Sequence, residues 1–306
     1  MRKIIVSAPG KIHLSGEHSV VYGQPAILSA IDKRLFITLK QRKDKLVKTK
    51  DDLIKFGLEK IYQLLKRKLQ SGFDLEIKSE IPVGSGLGSS AALAVALTGA
   101  IFKLEELKWD ENLVNKIAYQ IEKKQHGNPS GGDNTIACFG GLLKFQKKKA
   151  KFSFEQLKPK SDLPQFLLVD TGRPIETTGE MVTLVRSKIN PPAGGQKLIQ
   201  DIGKITRKVI AGFDKNQFSN LKDLISENER LLEQLGVVGE KAKKIIRLIE
   251  KNGGAGKICG AGGVKTGSGM ILVYHPEIKK IIRVLDSHGL DYSRIKLGQE
   301  GVRVEK

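Results

Sequence analysis

Cysteine is nearly absent from this 306-residue chain. Cys138 and Cys259 stand alone, far apart in sequence and outside any paired metal-ligand spacing. That excludes a disulfide scaffold and a thiolate zinc site, and two reduced core thiols are expected. Aromatic residues are only 6%, with a single tryptophan, and no basic stripe is interleaved with aromatics for base stacking. No apolar run approaches the length of a membrane span, and Ile4-Ile5-Val6 is too short for a secretory leader. Acidic residues are outnumbered, 33 against 53 basic, giving a net charge of +20. The lysines are spread along the whole chain, with one dense run at Lys147–Lys149 and Lys151. This reads as a solvated surface that attracts anionic small molecules rather than a nucleic-acid footprint. A cytoplasmic protein is expected, with no nucleic-acid partner and no membrane.

Glycine, by contrast, is plentiful: 33 residues, concentrated in loops. The central stretch is Ile81–Ala92, IPVGSGLGSSAA, which runs into an apolar helix. Glycine lets a ligand come close to the backbone, and a helix start presents unpaired N–H groups with a positive dipole end. A loop of this kind is an anion site, and a hydroxyl beside it can ligate a divalent cation. It is not a Walker A loop, because no Lys-Ser or Lys-Thr follows. Gly86, Gly88 and Ala91 also satisfy G-x-G-x-x-A, which leaves a nicotinamide-dependent oxidoreductase as an alternative of another class.

Read in order, the pattern predicts a strand at Ile4–Ala8 turned by Pro9-Gly10, then Lys11. GEHSVVYG follows, with Glu17 and His18 between glycines. Strands are expected at Ala26–Ala30, Leu35–Leu39 and Phe73–Ile77, and a helix at Asp51–Leu69. A buried helix should cover Ala91–Leu107, and a helix capped by Asp110 carries Glu122. It must end at HGNPSGGDN, His126–Asn134, a second glycine-rich loop holding Asp133. A strand at Phe139–Phe145 and a basic loop or edge hairpin at Lys147–Lys160 precede the second half. There, strands at Phe166–Val169 and Met270–Tyr274 flank four helices and a third glycine-rich stretch, GGAGKICGAGGVKTGSG. A helix at Glu277–His288 and strands at Arg294–Leu297 and Val302–Val304 close the chain. Strands, then helices, then strands, twice over, argue for an α+β fold in two lobes, divided near Asp162–Pro164 into 1–163 and 164–306.

Three glycine-rich loops with a lysine, two carboxylates and a hydroxyl pair beside them match the inventory of phosphoryl transfer. That chemistry needs a phosphate cradle, a hydroxyl and carboxylate for Mg²⁺, a cation, and a carboxylate to take the alcohol proton. The stretches PGKIHLSGEHSVVYG, IPVGSGLGSSAA and GAGG resemble the three motifs of the GHMP kinases. The G-E-H-x-V-V-x-G form, with HGNPSGxDN, is most similar to the branch of that family that phosphorylates mevalonate. The resemblance implies an N-terminal domain like ribosomal protein S5 domain 2, a ferredoxin-like C-terminal domain, and ATP bound between them. It implies transfer to the primary alcohol of mevalonate, with another small-molecule alcohol of the family as the alternative. By the same resemblance Pro82, Gly84, Ser85, Gly86, Leu87, Gly88, Ser89 and Ser90 wrap the ATP phosphates. Ser90 and Glu122 hold Mg²⁺, Asp133 is the base, and Lys11 contacts both Asp133 and the transferring phosphate. Glu17, His18 and Thr178 face the substrate. A homodimer is common in the family. One departure stands out: GAGG continues through Val264-Lys265-Thr266-Gly267-Ser268-Gly269, a longer and more polar path that should reshape that side of the cleft.

Overall fold

The computed structural model describes residues 2–47, 49, 51–127, 129–148, 151–160, 162–190 and 194–306. Asn128 of HGNPSGGDN and Lys149 of the basic run lie outside the described residues, as do the side chains of 125 and 126.

Two antiparallel sheets form the frame. β1 (Lys3–Ser15) pairs with β2 (Pro25–Gln41), and both run much further than the sequence pattern suggests. Pro9-Gly10 does not turn the chain. Proline lacks the N–H a ladder needs, so the register slips between Pro9 and Lys11 as a bulge. β1 then continues straight through, carrying Lys11 into the middle of a strand. β3 (Phe73–Ser79) lies along one half of β2, and β4 (Leu142–Lys148) along the other half. β5 (Lys151–Leu157) forms the edge, so the basic segment is the edge hairpin expected of it.

Four helices cover this sheet: α1 (Asp52–Leu65), α2 (Ser89–Leu104), α3 (Glu111–His126) and α4 (Gly132–Phe139). α2 is buried nearly all round because its small residues, Ala91 to Ala100, pass between the sheet and the other helices. α4 was expected to be loop followed by strand. Its glycine-rich start reads as a turn, yet Gly131 at φ +87° is a left-handed N-cap from which eight residues wind as helix.

In the second half, β6 (Phe166–Asp170) leads to α5 (Thr178–Ile189), α6 (Gln196–Lys215), α7 (Leu221–Gln234) and α8 (Glu240–Lys251). Then come β7 (Ala255–Ile258), β8 (Met270–Tyr274), α9 (Ile278–Ser287) and β9 (Tyr292–Ile295). The order across this sheet is β7-β8-β6-β9, all antiparallel. With helices after β6 and β8, this is the split β-α-β arrangement of a ferredoxin-like lobe. β7 lies inside the third glycine-rich stretch, where Gly256 and Lys257 disguised it as loop. Neither sheet is doubly wound, so the nicotinamide reading of Gly86-Leu87-Gly88 has no parallel βαβ unit to rest on.

The chain end crosses back. β10 (Arg303–Val304) pairs with β1, so the final residues join the first sheet although they follow the ferredoxin-like lobe. One apolar cluster includes Val6, Leu97 and Ile121 with Phe166, Val209 and Phe213, so the lobes share a core. Among the described residues, no helix is long and apolar enough to cross a membrane.

Candidate active site

Between the lobes lies a cleft of about 500 Å³. Its floor comes from β1, one wall from the loop before α2 and the starts of α3's partner helix α4, and the other from α5 and the loop after β7.

The bulge at Gly10 brings β1 against the loop that enters α2, and Lys11 N–H donates to the Leu87 carbonyl at 2.9 Å. Gly84, Gly86 and Gly88 all hold positive φ. Gly88 needs it most, since it is the left-handed N-cap of α2 and a Cβ there would lie 2.7 Å from Lys11 Cγ. No side chain caps α2, so its first N–H groups face the cleft. Gly84, Gly86, Gly88, Ser89 and Ser90 line that wall, joined by Val83. Pro82, Ser85 and Leu87 do not. Leu87 is buried in the core, and Ser85 Oγ donates to the Pro82 carbonyl, bracing the loop from behind.

Opposite the loop, Asp133 occupies the first turn of α4, where a carboxylate is favoured by the helix dipole. Lys11, only 4% exposed, sits 3.2 Å from Asp133 Oδ2. Ser90 Oγ donates to Glu122 Oε2 at 3.4 Å. Glu122 is buried, and burial, then the nearby Asp133 charge, pushes its carboxyl up to about 8. Glu122 and Asp133 thus stand near one another beside the glycine loop, with the Lys11 ammonium acting on both. Thus Lys11, Asp133, Ser90 and Glu122, drawn from four separate elements, meet in one place.

Glu17 and His18 lie at the far end of β1. Glu17 is 2% exposed, and its carboxylate is engaged from behind by buried Lys257 and by Asn228. His18 has φ +57° before a short 3₁₀ turn, Ser19–Tyr22. Burial holds its imidazole down to about 4, so Nε2–H donates to the Ala261 carbonyl at 3.0 Å and Nδ1 is left as an acceptor. Thr178 opens α5, where the neighbouring Thr177 and Glu180 make a reciprocal capping box, and Thr178 lines the cleft.

The third glycine-rich stretch meets the cleft only through Gly260 and Ala261. Gly260 is pressed on Gly86, where a Cβ would lie 2.9 Å from the Gly86 Cα. The polar continuation folds away from it. Glu176 accepts from Val264 N–H and Lys265 N–H, and Ser268 Oγ donates to the Gly263 carbonyl while accepting from Gly239 N–H. Val264–Gly269 is thus held against the segment after β6 and does not itself line the cleft.

Lining or supporting residues that the sequence did not single out include His13, Arg173 and Lys257. His13 follows Lys11 by two on the same strand, so period-two alternation would have placed it on the same face. Arg173 packs beside Gly84, with Nε 2.6 Å from where a Cβ would stand. Lys257, fully buried, carries no signal until β7 is recognised as a strand.

Fold and site together define a small-molecule kinase, and the chain belongs to the GHMP kinase family. A family model described as the GHMP kinases N terminal domain matches residues 56–141, and one described as GHMP kinases C terminal matches 209–264. Within that family the chain is similar to the mevalonate kinase of Pyrococcus abyssi, at 31% identity over 100% of this chain and 98% of that protein. It is 34% identical to the mevalonate kinase of Archaeoglobus fulgidus over 85% of this chain and 89% of that one. In structure it resembles L. major mevalonate kinase solved in complex with R-mevalonate, with a TM-score of 0.82 at 23% identity, covering 98% and 97% of the two chains.

Proposed function

We propose that this chain transfers the γ-phosphoryl group of ATP to the primary alcohol of mevalonate, giving 5-phosphomevalonate and ADP in the cytoplasm. The observation that carries the reading is the Lys11–Asp133 pair at 3.2 Å, facing the N-terminus of α2 across one cleft. The full-length likeness to mevalonate kinases supports the choice of substrate.

In this reading the glycine loop and the first N–H groups of α2 cradle the phosphates. Asp133 accepts the alcohol proton as the O–P bond forms, since a neutral alcohol is a poor nucleophile. Lys11 holds Asp133 in place and offsets the negative charge that grows on the phosphoryl oxygens. His18 presents Nδ1 to a substrate hydroxyl, with Glu17 and Lys257 fixing the corner on which it stands, and Thr178 adds a hydroxyl from the opposite wall. Ser90 and Glu122 fit Mg²⁺, because both offer hard oxygens beside the glycine loop and the buried Glu122 carboxyl, close to the Asp133 charge, gains from a cation. When bound, Mg²⁺ neutralises charge on the phosphates.

A coupled ADP-release assay over mevalonate, phosphomevalonate, galactose and homoserine tests the proposal. Mevalonate should be turned over at least about tenfold more efficiently than the rest, ~1.4 kcal/mol in transition-state energy. Preference for another alcohol leaves the kinase family intact and removes mevalonate. The metal assignment makes its own prediction. Glu122→Gln should raise the Mg²⁺ concentration needed for half activity and lower the maximal rate, with the fold intact. An unchanged Mg²⁺ titration would take Glu122 out of the site.

A further inference from the structure

His13 lines the cleft two residues beyond Lys11 and is 8% exposed. Its Nδ1 lies 3.2 Å from Lys11 Nζ. An ammonium has three protons and no lone pair, so Lys11 donates and Nδ1 must be the unprotonated ring nitrogen. The proton is then on Nε2, while the His13 carbonyl accepts from Lys257 Nζ of β7 at 3.1 Å. Burial, then the charges of Lys11 and Lys257 and the neighbouring His18, hold the ring well below the usual imidazole range. The imidazole is thus a neutral acceptor with a fixed tautomer, wedged between Lys11 and the third glycine-rich stretch.

We propose that His13 is a positioning residue for phosphoryl transfer. Two protons of the Lys11 ammonium are committed, one to His13 Nδ1 and one to Asp133 Oδ2, and the third is thereby aimed into the cleft. Without the His13 acceptor the ammonium keeps a single anchor, Asp133, and its charge is less firmly fixed where the phosphoryl oxygens develop theirs. The Lys257 bond to the His13 carbonyl also ties this part of β1 to the lobe that carries Gly260. This inference rests on the phosphoryl-transfer reading of the site.

The test compares His13→Leu, His13→Asn and His13→Gln in the full chain, with kcat, both KM values and the thermal midpoint measured for each. Asparagine Oδ1 stands roughly where Nδ1 stood, glutamine reaches past it, and leucine offers no acceptor. His13→Leu should lower kcat about tenfold to a hundredfold, the range for losing one charge-assisted hydrogen bond, with both KM values little changed. His13→Asn should recover most of that loss, and His13→Gln should not. Stability should run the other way, because a buried leucine is favoured over a buried amide. A leucine variant with wild-type kcat overturns the inference, as does kcat that follows the thermal midpoint across the series. If leucine fails to fold, asparagine against glutamine decides, and equal activity in those two overturns it. A wild-type chain with no phosphotransfer to any alcohol sinks the functional reading and this inference together, whereas the other failures sink this inference alone.

Discussion

Asp133→Asn lowers kcat by ~10²–10⁴-fold, the range for losing a general base, and leaves ATP affinity nearly unchanged. The amide keeps the shape of the carboxylate at the start of α4, so the cleft and the phosphate loop stay in place. What goes is the group that takes the alcohol proton. Lys11→Met, which keeps the stem and loses the charge, lowers kcat over the same range. Here the cost has two parts, the charge facing the phosphoryl oxygens and the ion pair that orients Asp133 at 3.2 Å. The double variant should be far less impaired than the product of the single effects, because residues that act as a unit are not additive. Steady-state kinetics with saturating alcohol reads all three. If Asp133→Asn keeps more than about a tenth of wild-type kcat, a loss of only ~1.4 kcal/mol, Asp133 is not the base and its role shrinks to the first turn of α4.

Gly88→Val should be the next most damaging change. Gly88 sits at φ +76°, where a β-branched residue is strained by about 1–2 kcal/mol or more. The added Cβ would also stand 2.7 Å from Lys11 Cγ. Either the loop shifts away from the start of α2 or Lys11 is displaced, and both act on the phosphate side of the cleft. ATP affinity should fall at least about tenfold, ~1.4 kcal/mol, and more than alcohol affinity does. Isothermal titration with a non-hydrolysable ATP analogue and, separately, with mevalonate measures the two. Equal losses, accompanied by a lowered melting temperature, would point to general misfolding and remove the cradle role from Gly88.

The parts of the site that announce themselves by composition were legible in the sequence. Glycines at fixed offsets before an apolar helix start marked the loop that lines the cleft, and all three hold positive φ within five positions. Lys11, Glu122 and Asp133 were legible through the motifs around them. What was not legible depended on burial. Pro9-Gly10 signals a turn by local chemistry, but the flanking residues of β1 are buried on both faces and the sheet continues through them as a bulge. α4 is only eight residues and begins with glycine, so its helical period is too short to outweigh its turn composition. Lys257 looks like a solvated lysine in a glycine-rich loop, yet it is a fully buried cation whose protons go to Glu17 and to the carbonyls of His13 and Ile258. Charge hidden in a core is the feature that residue type predicts worst. The partners of the polar continuation Val264–Gly269 were not legible either, since Glu176 and Gly239 lie far from it in sequence.

Transfer to the primary alcohol of mevalonate can be read from ³¹P NMR of the product formed from mevalonate, ATP and Mg²⁺. A phosphate on the primary carbon couples to two methylene protons and appears as a triplet, whereas one on the tertiary carbon has no such neighbours. The triplet is expected, and it should be absent with Asp133→Asn on the same timescale. An uncoupled phosphate ester, or no ester at all, would contradict it.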